Sequence, residues 1–438
     1  MDKKKFLILL TVVCSIILII LLIKYYPQYS GVIRVPEQYP TIQKAINAAK
    51  PGDTILVASG TYVERILVNK TLTLTGENKN NTIIDGNQGT GPAVLINVNK
   101  VSIIGFTIRN SCVACYGIYI QNSVNSSIRE NIFTKNNRGI FITGCTNIMV
   151  ANNIVTNDLG TSIYIGNSVN VTLRNNELID NAYNLGVAGK SISQFAHDID
   201  VSNTINGKPI YYFVNQSNKI VPANAGYVGA INCVNITVKD LTLSNNRQGI
   251  LFAYTKNSII QNVIVTNNIG GILLFYSSNN SIFNNTVTST RDFGISLSSY
   301  SNNNTVSNNL ILKNRSTIFN ETTDGIRLEN HVTANKIINN TVSNNTNNIR
   351  VLISDDNQIY HNNFINSTLQ EYSDQLSIND WDNGYSSRGN YWSDYTGVDE
   401  KSGPYQDQPG SDGIGDTAYI IDADNRDRYP LMNSYALP

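Results

Sequence analysis

The sequence predicts an all-β solenoid in which short strands stack coil upon coil. Three observations lead there: a composition tilted toward strands and turns, a repeat of about 22 to 23 residues, and period-two apolar stretches too short for helices. About one in seven of the 438 residues is Asn, and Ile, Val, Thr and Tyr abound, with 24 Tyr. Charges balance at 32 Lys and Arg against 32 Asp and Glu, which argues against the basic face that a nucleic-acid partner needs. The balance is uneven along the chain: from Leu369 onward, 13 acidic residues face 4 basic ones. The ending is therefore a distinct acidic unit.

The repeat shows when segments are laid under one another. "SSIRENIFTKNNRGIFITGCTN" from Ser126, "ITVKDLTLSNNRQGILFAYTKN" from Ile236, "SIIQNVIVTNNIGGILLFYSSNN" from Ser258 and "KIINNTVSNNTNNIRVLISDDN" from Lys336 share one grammar. A leading apolar residue is followed by Asn or another apolar residue, then a second apolar residue, an Asn-rich turn and Gly-Ile-x-apolar. One unit cannot bury its inward side chains, so it stacks on copies of itself. Stacking places equivalent residues about 4.8 Å apart. Asn131, Asn153, Asn176, Asn285, Asn309, Asn340 and Asn363 are expected to bond amide to amide in a column, interrupted where Phe106, Leu241 or Val263 takes the slot. Such a column is architecture, because an unpaired buried amide costs more than a paired one gains. About a dozen coils make one continuous rod about 60 Å long.

The ends need covering. At the front, Thr41 is an N-cap candidate for a short helix with Ile42, Ala45, Ile46 and Ala49 on its apolar face, stopped by Pro51-Gly52. Ahead of it, Lys3 to Lys5 precede an apolar run from Phe6 to Ile23 without a small-residue cleavage site, the pattern of an uncleaved signal anchor with the bulk of the chain exported. Cys14 lies within that apolar run. Cys112 and Cys115 form a lone CxxC, read as a local disulfide or two quiet thiols. The expected order is an anchor over 1–30, an N-terminal cap and first coils over 31–190, an inserted hairpin-like segment over 191–235, further coils over 236–368, and an acidic aromatic cap over 369–438.

The opening "YPTIQKAINAAKPGDTILVASGTYVERILVNKTLTLTGE", the coils, "SNTINGKPIYYFVNQ" and the ending "WDNGYSSRGNYWSDYTGVD" resemble NosD-like proteins of the right-handed parallel β-helix, or pectin-lyase-like, superfamily. The resemblance covers nearly everything after residue 31. It implies a right-handed parallel β-helix; for function it implies little, because this scaffold hosts lyases, hydrolases, epimerases, adhesins and accessory proteins. It also carries an association with copper and nitrous oxide reductase maturation. The residues do not support copper: His197, His331 and His361 are scattered, and Met149 and Met432 are isolated.

A site on such a scaffold is sought on the outward positions of the Gly-Ile-x-apolar strand. One column reads Tyr119, Phe141, Tyr164, Leu251, Leu273, Ser296, Arg327, Arg350; the next reads Gln121, Thr143, Gly166, Ala253, Phe275, Ser298, Glu329, Leu352. Glycoside hydrolysis needs two carboxyl groups, and the columns offer one, Glu329. Glu329 with Arg327 and Arg350 is the candidate catalytic remnant. Tyr119, Phe141, Tyr164 and Phe275 are the candidate ligand-binding aromatics, suited to flat sugar faces or an apolar partner unless the inserted segment covers them. His197, Asp198 and Asp200 read as solvated residues at a hairpin base.

In the acidic ending, Asp399, Asp407, Asp412 and Asp416 lie among Gly and Pro, and an Asp-Gly-x-Gly-Asp run lets carboxylates converge on a structural calcium ion. About 14 Asn-x-Ser/Thr sequons, including Asn69, Asn125, Asn284, Asn339 and Asn366, suit an exported surface where a host glycosylates. The function expected is a membrane-anchored β-helix on the cell exterior that binds carbohydrate or envelope partners without turnover. The alternatives are a polysaccharide lyase, hydrolase or epimerase, and an accessory factor for a membrane transport or maturation complex.

Overall fold

The computed structural model describes residues 31–314, 322–374 and 376–435. The expected anchor over 1–30 lies outside them, and no helix among the described residues is long and apolar enough to cross a membrane. The chain is a parallel β-solenoid. The one α-helix among the described residues, Ile42–Ala48, is capped by Thr41, whose hydroxyl accepts from the Lys44 N–H at 3.2 Å, and it buries Ile42, Ala45 and Ile46. The Glu64 carboxylate accepts from the Ile42 and Gln43 N–H groups, both at 2.9 Å, pairing free donors of the first turn. Cys112 and Cys115 are joined as a local disulfide, and Cys145 and Cys233 are buried thiols.

The coils form two arms rather than one rod. In the first arm an eight-stranded sheet ends at Asp198–Ile199 and a six-stranded sheet ends at Tyr183–Ala188. In the second arm two seven-stranded sheets begin at Ser217–Ile220 and Thr242–Ser244. A single 15-stranded sheet, from Gly60–Val63 to Leu369–Ser373, runs through both. At the junction its strands Thr204–Ile205 and Lys208–Val214 pair antiparallel, Thr204 with Pro209 and Ile205 with Lys208. The turn between them is Asn206-Gly207, with φ of 48° and 77°, the two-residue hairpin that such a pair favours.

That reversal moves the interior. A crossover between parallel strands keeps one hand, so strands running the opposite way in the same sheet must coil on its opposite face. Burial follows this: Ile84, Ile108, Phe133, Val155 and Leu178 point into the first core, whereas Ile250 and Phe252 enter a second core. Their neighbours Leu251 and Ala253 belong to the first core. The outward column expected to run unbroken is therefore two columns. Tyr119, Phe141 and Tyr164 continue to Gly186 in the six-stranded sheet. Leu251, Leu273, Ser296, Arg327 and Arg350 align in the 15-stranded sheet.

The seam between the arms is bonded as well as packed. Asn184 N–H donates to the Asn245 carbonyl at 2.7 Å and Arg247 N–H to the Leu185 carbonyl at 3.0 Å. The Gln248 side-chain amide donates to the Val187 carbonyl at 3.2 Å and accepts from its N–H at 3.4 Å. Phe195, from the segment between the arms, packs on Phe275 at 5.1 Å between ring centroids. His197 in that segment is buried, not solvated, and burial lowers its pKa to about 4. Asp198 and Asp200 pair with Arg174.

Buried amides fix the register of the coils. Asn131, Asn153, Asn176 and Asn203 form one ladder, each Nδ2 donating to the next Oδ1 at 2.8 to 3.2 Å. Asn285, Asn309, Asn340, Asn362 and Asn390 form another at 2.9 to 3.0 Å. The rung in the penultimate coil is Asn362, not Asn363, because Ile359 is the leading buried residue there; Asn363 opens the next strand and binds the Tyr435 carbonyl. A second row in the same arm, Asn280, Asn304, Asn335, Asn357 and Asn379, bonds in the same way.

One rung is an acid. Asp158 sits between Asn136 and Asn181, accepting the Asn136 N–H at 2.9 Å, while its Oδ2 is buried with no partner. Burial raises its carboxyl pKa to about 7, against the pull of the Asn136 N–H groups. At the far end, Trp381 and Trp392 are buried, and Trp392 stacks on Phe364 at 4.7 Å and Tyr419 at 4.3 Å.

Two outcomes are expected. Asn309→Ala strips four amide bonds and leaves buried donors and acceptors unpaired, so urea unfolding should show a loss of about 2 to 4 kcal/mol; an unshifted midpoint would mean that the ladder does not set stability. Asp158 has a folded pKa above its unfolded one, so its contribution is complete below about pH 4, declines as pH rises toward 7, and is flat beyond. Asp158→Asn should remove that slope and gain on the order of 4 kcal/mol at most at pH 8, read as the difference between melting profiles of the two proteins at pH 4, 6 and 8.

Candidate functional site

The face switch creates a cleft where the outer face of the 15-stranded sheet meets the end of the first arm. Its volume is about 780 Å³, within the range of pockets that hold small ligands. The first arm contributes Asn137, Arg138, Leu159, Gly160, Thr161 and Tyr183, and the second arm supplies the facing wall. There the strands Asp324–Glu329 and Asn347–Leu352 pair in register, Arg327 with Arg350 and Glu329 with Leu352. Inward residues alternate with these four, which is why a strand of the core presents them to the cleft. The turns before the strands add Arg247, Ile269, Arg291 and Asp292.

The guanidinium groups differ in their partners. Arg327 is clamped: Nε donates to Asp324 at 2.5 Å and Nη2 to Asp292 at 2.6 Å. Burial works against its charge, but the Asp324 and Asp292 carboxylates outweigh this and raise its pKa. Asp324 is wholly buried, also accepts from the Asn347 amide at 2.8 Å, and lies 3.9 Å from Arg350. Glu329 is the one lining carboxylate without a basic partner within 4.0 Å among the described residues.

Aromatic rings support every arginine of the cleft. Arg138 lies over Tyr116 at 5.4 Å, Arg247 over Tyr164 at 4.8 Å, Arg291 over Tyr183 at 5.2 Å, Arg327 over Phe293 at 5.2 Å and Arg350 over Tyr372 at 5.4 Å. Arg247 and Arg291 reach from the second arm to rings of the first. Stacking on a π-face holds a guanidinium in place while leaving its in-plane N–H donors free.

The residues expected from the sequence are thus divided. Arg327, Arg350 and Glu329 do share the cleft. Tyr164 supports Arg247 from behind, and Tyr119 and Phe141 lie outside the cleft lining. Phe141 stacks on Tyr164 at 4.5 Å and packs tilted against Tyr116 at 4.5 Å, so its ring is occupied by neighbours. Phe275 lies in the seam against Phe195, in the 15-stranded sheet and not in the six-stranded sheet of the other three. The sequence columns missed Arg138, Arg247, Arg291, Asp292 and Tyr183. A signal was present, since "NNRGI", "NNRQGI" and "TRDFGI" place an arginine at the start of, or just before, the Gly-Ile strand three times.

The acidic ending does not gather its carboxylates. Asp399 accepts from Ser411 Oγ at 2.7 Å, Asp412 N–H at 3.0 Å and Gly413 N–H at 2.8 Å. Asp412 accepts from Tyr385 at 2.9 Å and Ile414 N–H at 3.1 Å, and Asp416 accepts from Lys401 N–H at 3.0 Å. Asp407 is exposed. These carboxylates order loops by accepting backbone N–H groups. Among the described residues no three His, Cys, Asp or Glu side chains are placed to hold a metal ion. The donor set for copper is likewise not assembled there: His197 is buried, and Cys112 and Cys115 are bonded to each other.

Comparison with solved structures finds weak likenesses. The A-module of a mannuronan C-5 epimerase from Azotobacter vinelandii is 14% identical, with 77% of this chain and 94% of that one covered at a TM-score of 0.32. A DFA-IIIase from Arthrobacter chlorophenolicus A6 is 14% identical over 80% of this chain and 98% of that one, at 0.36. A pectin methylesterase from Yersinia enterocolitica is 13% identical over 55% and 90%, at 0.33. Likenesses this weak carry no argument about activity. No curated protein matches the chain. Residues 46–205 and 189–397 match the family described as periplasmic copper-binding protein (NosD), and with more than half of its length so matched the chain belongs to the NosD family.

Proposed function

We propose that this protein is an envelope β-helix, with its bulk outside the cytoplasm, that holds carbohydrate in the cleft between its arms without turning it over. The observation that carries the reading is the state of the cleft carboxylates. Asp292 is tied to Arg327, which leaves Glu329 alone, and hydrolysis of a glycosidic bond uses two free carboxyl groups in a set spacing. The remaining lining suits a hydroxyl-rich ligand: the Asn137 amide, the Thr161 and Thr322 hydroxyls and the Tyr183 ring. Both walls stand on bonded coils and a bonded seam, so little ordering is needed on binding. The family's periplasmic description agrees with an exported location. A second reading, a polysaccharide-modifying enzyme, draws on Glu329 beside Arg327 and Arg350.

Two measurements bear on this. In a glycan array and calorimetry on the purified protein, Leu159→Trp, a rim position 73% exposed, should crowd the cleft and weaken glycan binding on the order of tenfold. Reducing-end and unsaturated-uronate assays should show no product, and turnover that disappears in Glu329→Gln would replace binding by catalysis. A structural calcium ion held by Asp399, Asp407, Asp412 or Asp416 is tested by chelation, which should lower the melting temperature by a few degrees; no shift across millimolar calcium would remove the calcium site.

A further inference from the structure

Five of the six cation–aromatic contacts among the described residues belong to the cleft. They are not a by-product of neutralising acids. Arg138, Arg247 and Arg291 have no carboxylate within 4.0 Å among the described residues, and Arg350 is only 3.9 Å from Asp324, which Arg327 and Asn347 already occupy. The Nε of Arg350 is sealed from solvent and has no hydrogen-bond partner. Five guanidinium groups thus face three carboxylates, Asp292, Asp324 and Glu329, and two of those three serve Arg327.

Like charges gathered in one concave site repel one another, and water screens them less between two walls than on an open surface. An arrangement that holds them there on ring faces, with donors uncommitted, favours a ligand that brings negative charge. Planar guanidinium forks match carboxylate and sulfate oxygens in pairs. The spacing along the sheet fits a polymer. Arg327 and Arg350 are direct partners on adjacent strands, about 4.8 Å apart, and Arg247 and Arg291 lie in the turns of preceding coils, with Ile269 in the coil between them.

We infer that the ligand of the cleft is an acidic glycan whose carboxylate or sulfate groups are held by Arg247, Arg291 and Arg350, with Arg327 locked by Asp292 and Asp324 as their fixed support. The inference rests on the carbohydrate reading and names its class. Arg138 faces the same space from the first arm, its Nη1 donating to the Tyr116 hydroxyl at 3.1 Å, so an extended ligand meets cations on both walls.

The test is calorimetric titration of the full chain with a carboxylated, a sulfated and a neutral hexasaccharide of equal length, and with inorganic polyphosphate, at low and high salt. Acidic hexasaccharides should bind at least about tenfold tighter than the neutral one and weaken as salt rises. Arg247→Gln and Arg291→Gln should each cost about tenfold, and Arg247→Lys should recover only part of the loss because the charge returns without the planar fork. A preference between the carboxylated and sulfated probes identifies which group is held and supports the inference either way. Equal, salt-insensitive binding of all three hexasaccharides would overturn the acidic class while leaving the carbohydrate reading intact. Polyphosphate binding with no glycan binding, or no binding at all, would overturn both, and circular dichroism of each variant separates a lost contact from a lost fold.

Discussion

The hand of the coil is the constraint on which this structure depends. A strand that turns back on its neighbour can stay in the sheet, but its coil must then wind on the other face. The pairs Thr204 with Pro209 and Ile205 with Lys208 impose that reversal once. Everything that distinguishes the molecule from a plain rod follows: two cores back to back across one sheet, a seam where the first arm ends, and a cleft beyond it. The apolar side chains on the outer face near the reversal, Leu251, Ala253, Leu273 and Phe275, are spent closing the seam. Polar and charged residues appear on that face only farther along, where the first arm no longer covers it.

Register is the second requirement, because a column of side chains exists only if successive coils do not slip. The buried amides supply it. Each Asn in a ladder both donates to and accepts from its neighbours, and most also bind a backbone carbonyl one coil away, as Asn309 does with Ile282. A slip by one residue would put these groups against apolar side chains with nothing to bond. The exposed corners use the same residue for another reason: Asn tolerates the left-handed conformation seen at Asn152, Asn175 and Asn308, with φ of 52° to 56°. Where tyrosine takes such a corner, at Tyr254, Tyr276 and Tyr300, the first two rings stack at 5.0 Å and the third packs tilted against the second at 5.5 Å, which offsets the backbone strain.

Much of the fold was legible because it is local and repeated. The coil length, the ladder positions and the Thr41 cap follow from spacing alone, and the Asn363 slip came from counting from the wrong apolar residue in a coil with two adjacent asparagines. The elbow was not legible in the same way. Gly-Ile-x-apolar reads identically in both arms, and which face of the sheet it buries is decided by one antiparallel pair, not by the pattern of the strand. For the same reason Tyr119 and Phe275 looked like members of one surface. Arg327, Arg350 and Glu329 were found because they stand alone among apolar and hydroxyl positions. Arg247 and Arg291 escaped notice because they lie in turns, where charge is ordinary, and their partners Tyr164 and Tyr183 belong to the other arm.

The stacking of near-identical turns also has a consequence for how such a chain can change over generations. Toward the tips, away from the seam, neighbour contacts are confined to adjacent turns, so a turn duplicated or deleted there alters reach and leaves the elbow as it was. The stretch between the hairpin and Leu352 has no such latitude. One turn gained there would slide the cationic side chains past the opposing tyrosines by a full layer, so length variation among descendants should accumulate at the tips and be absent from the middle.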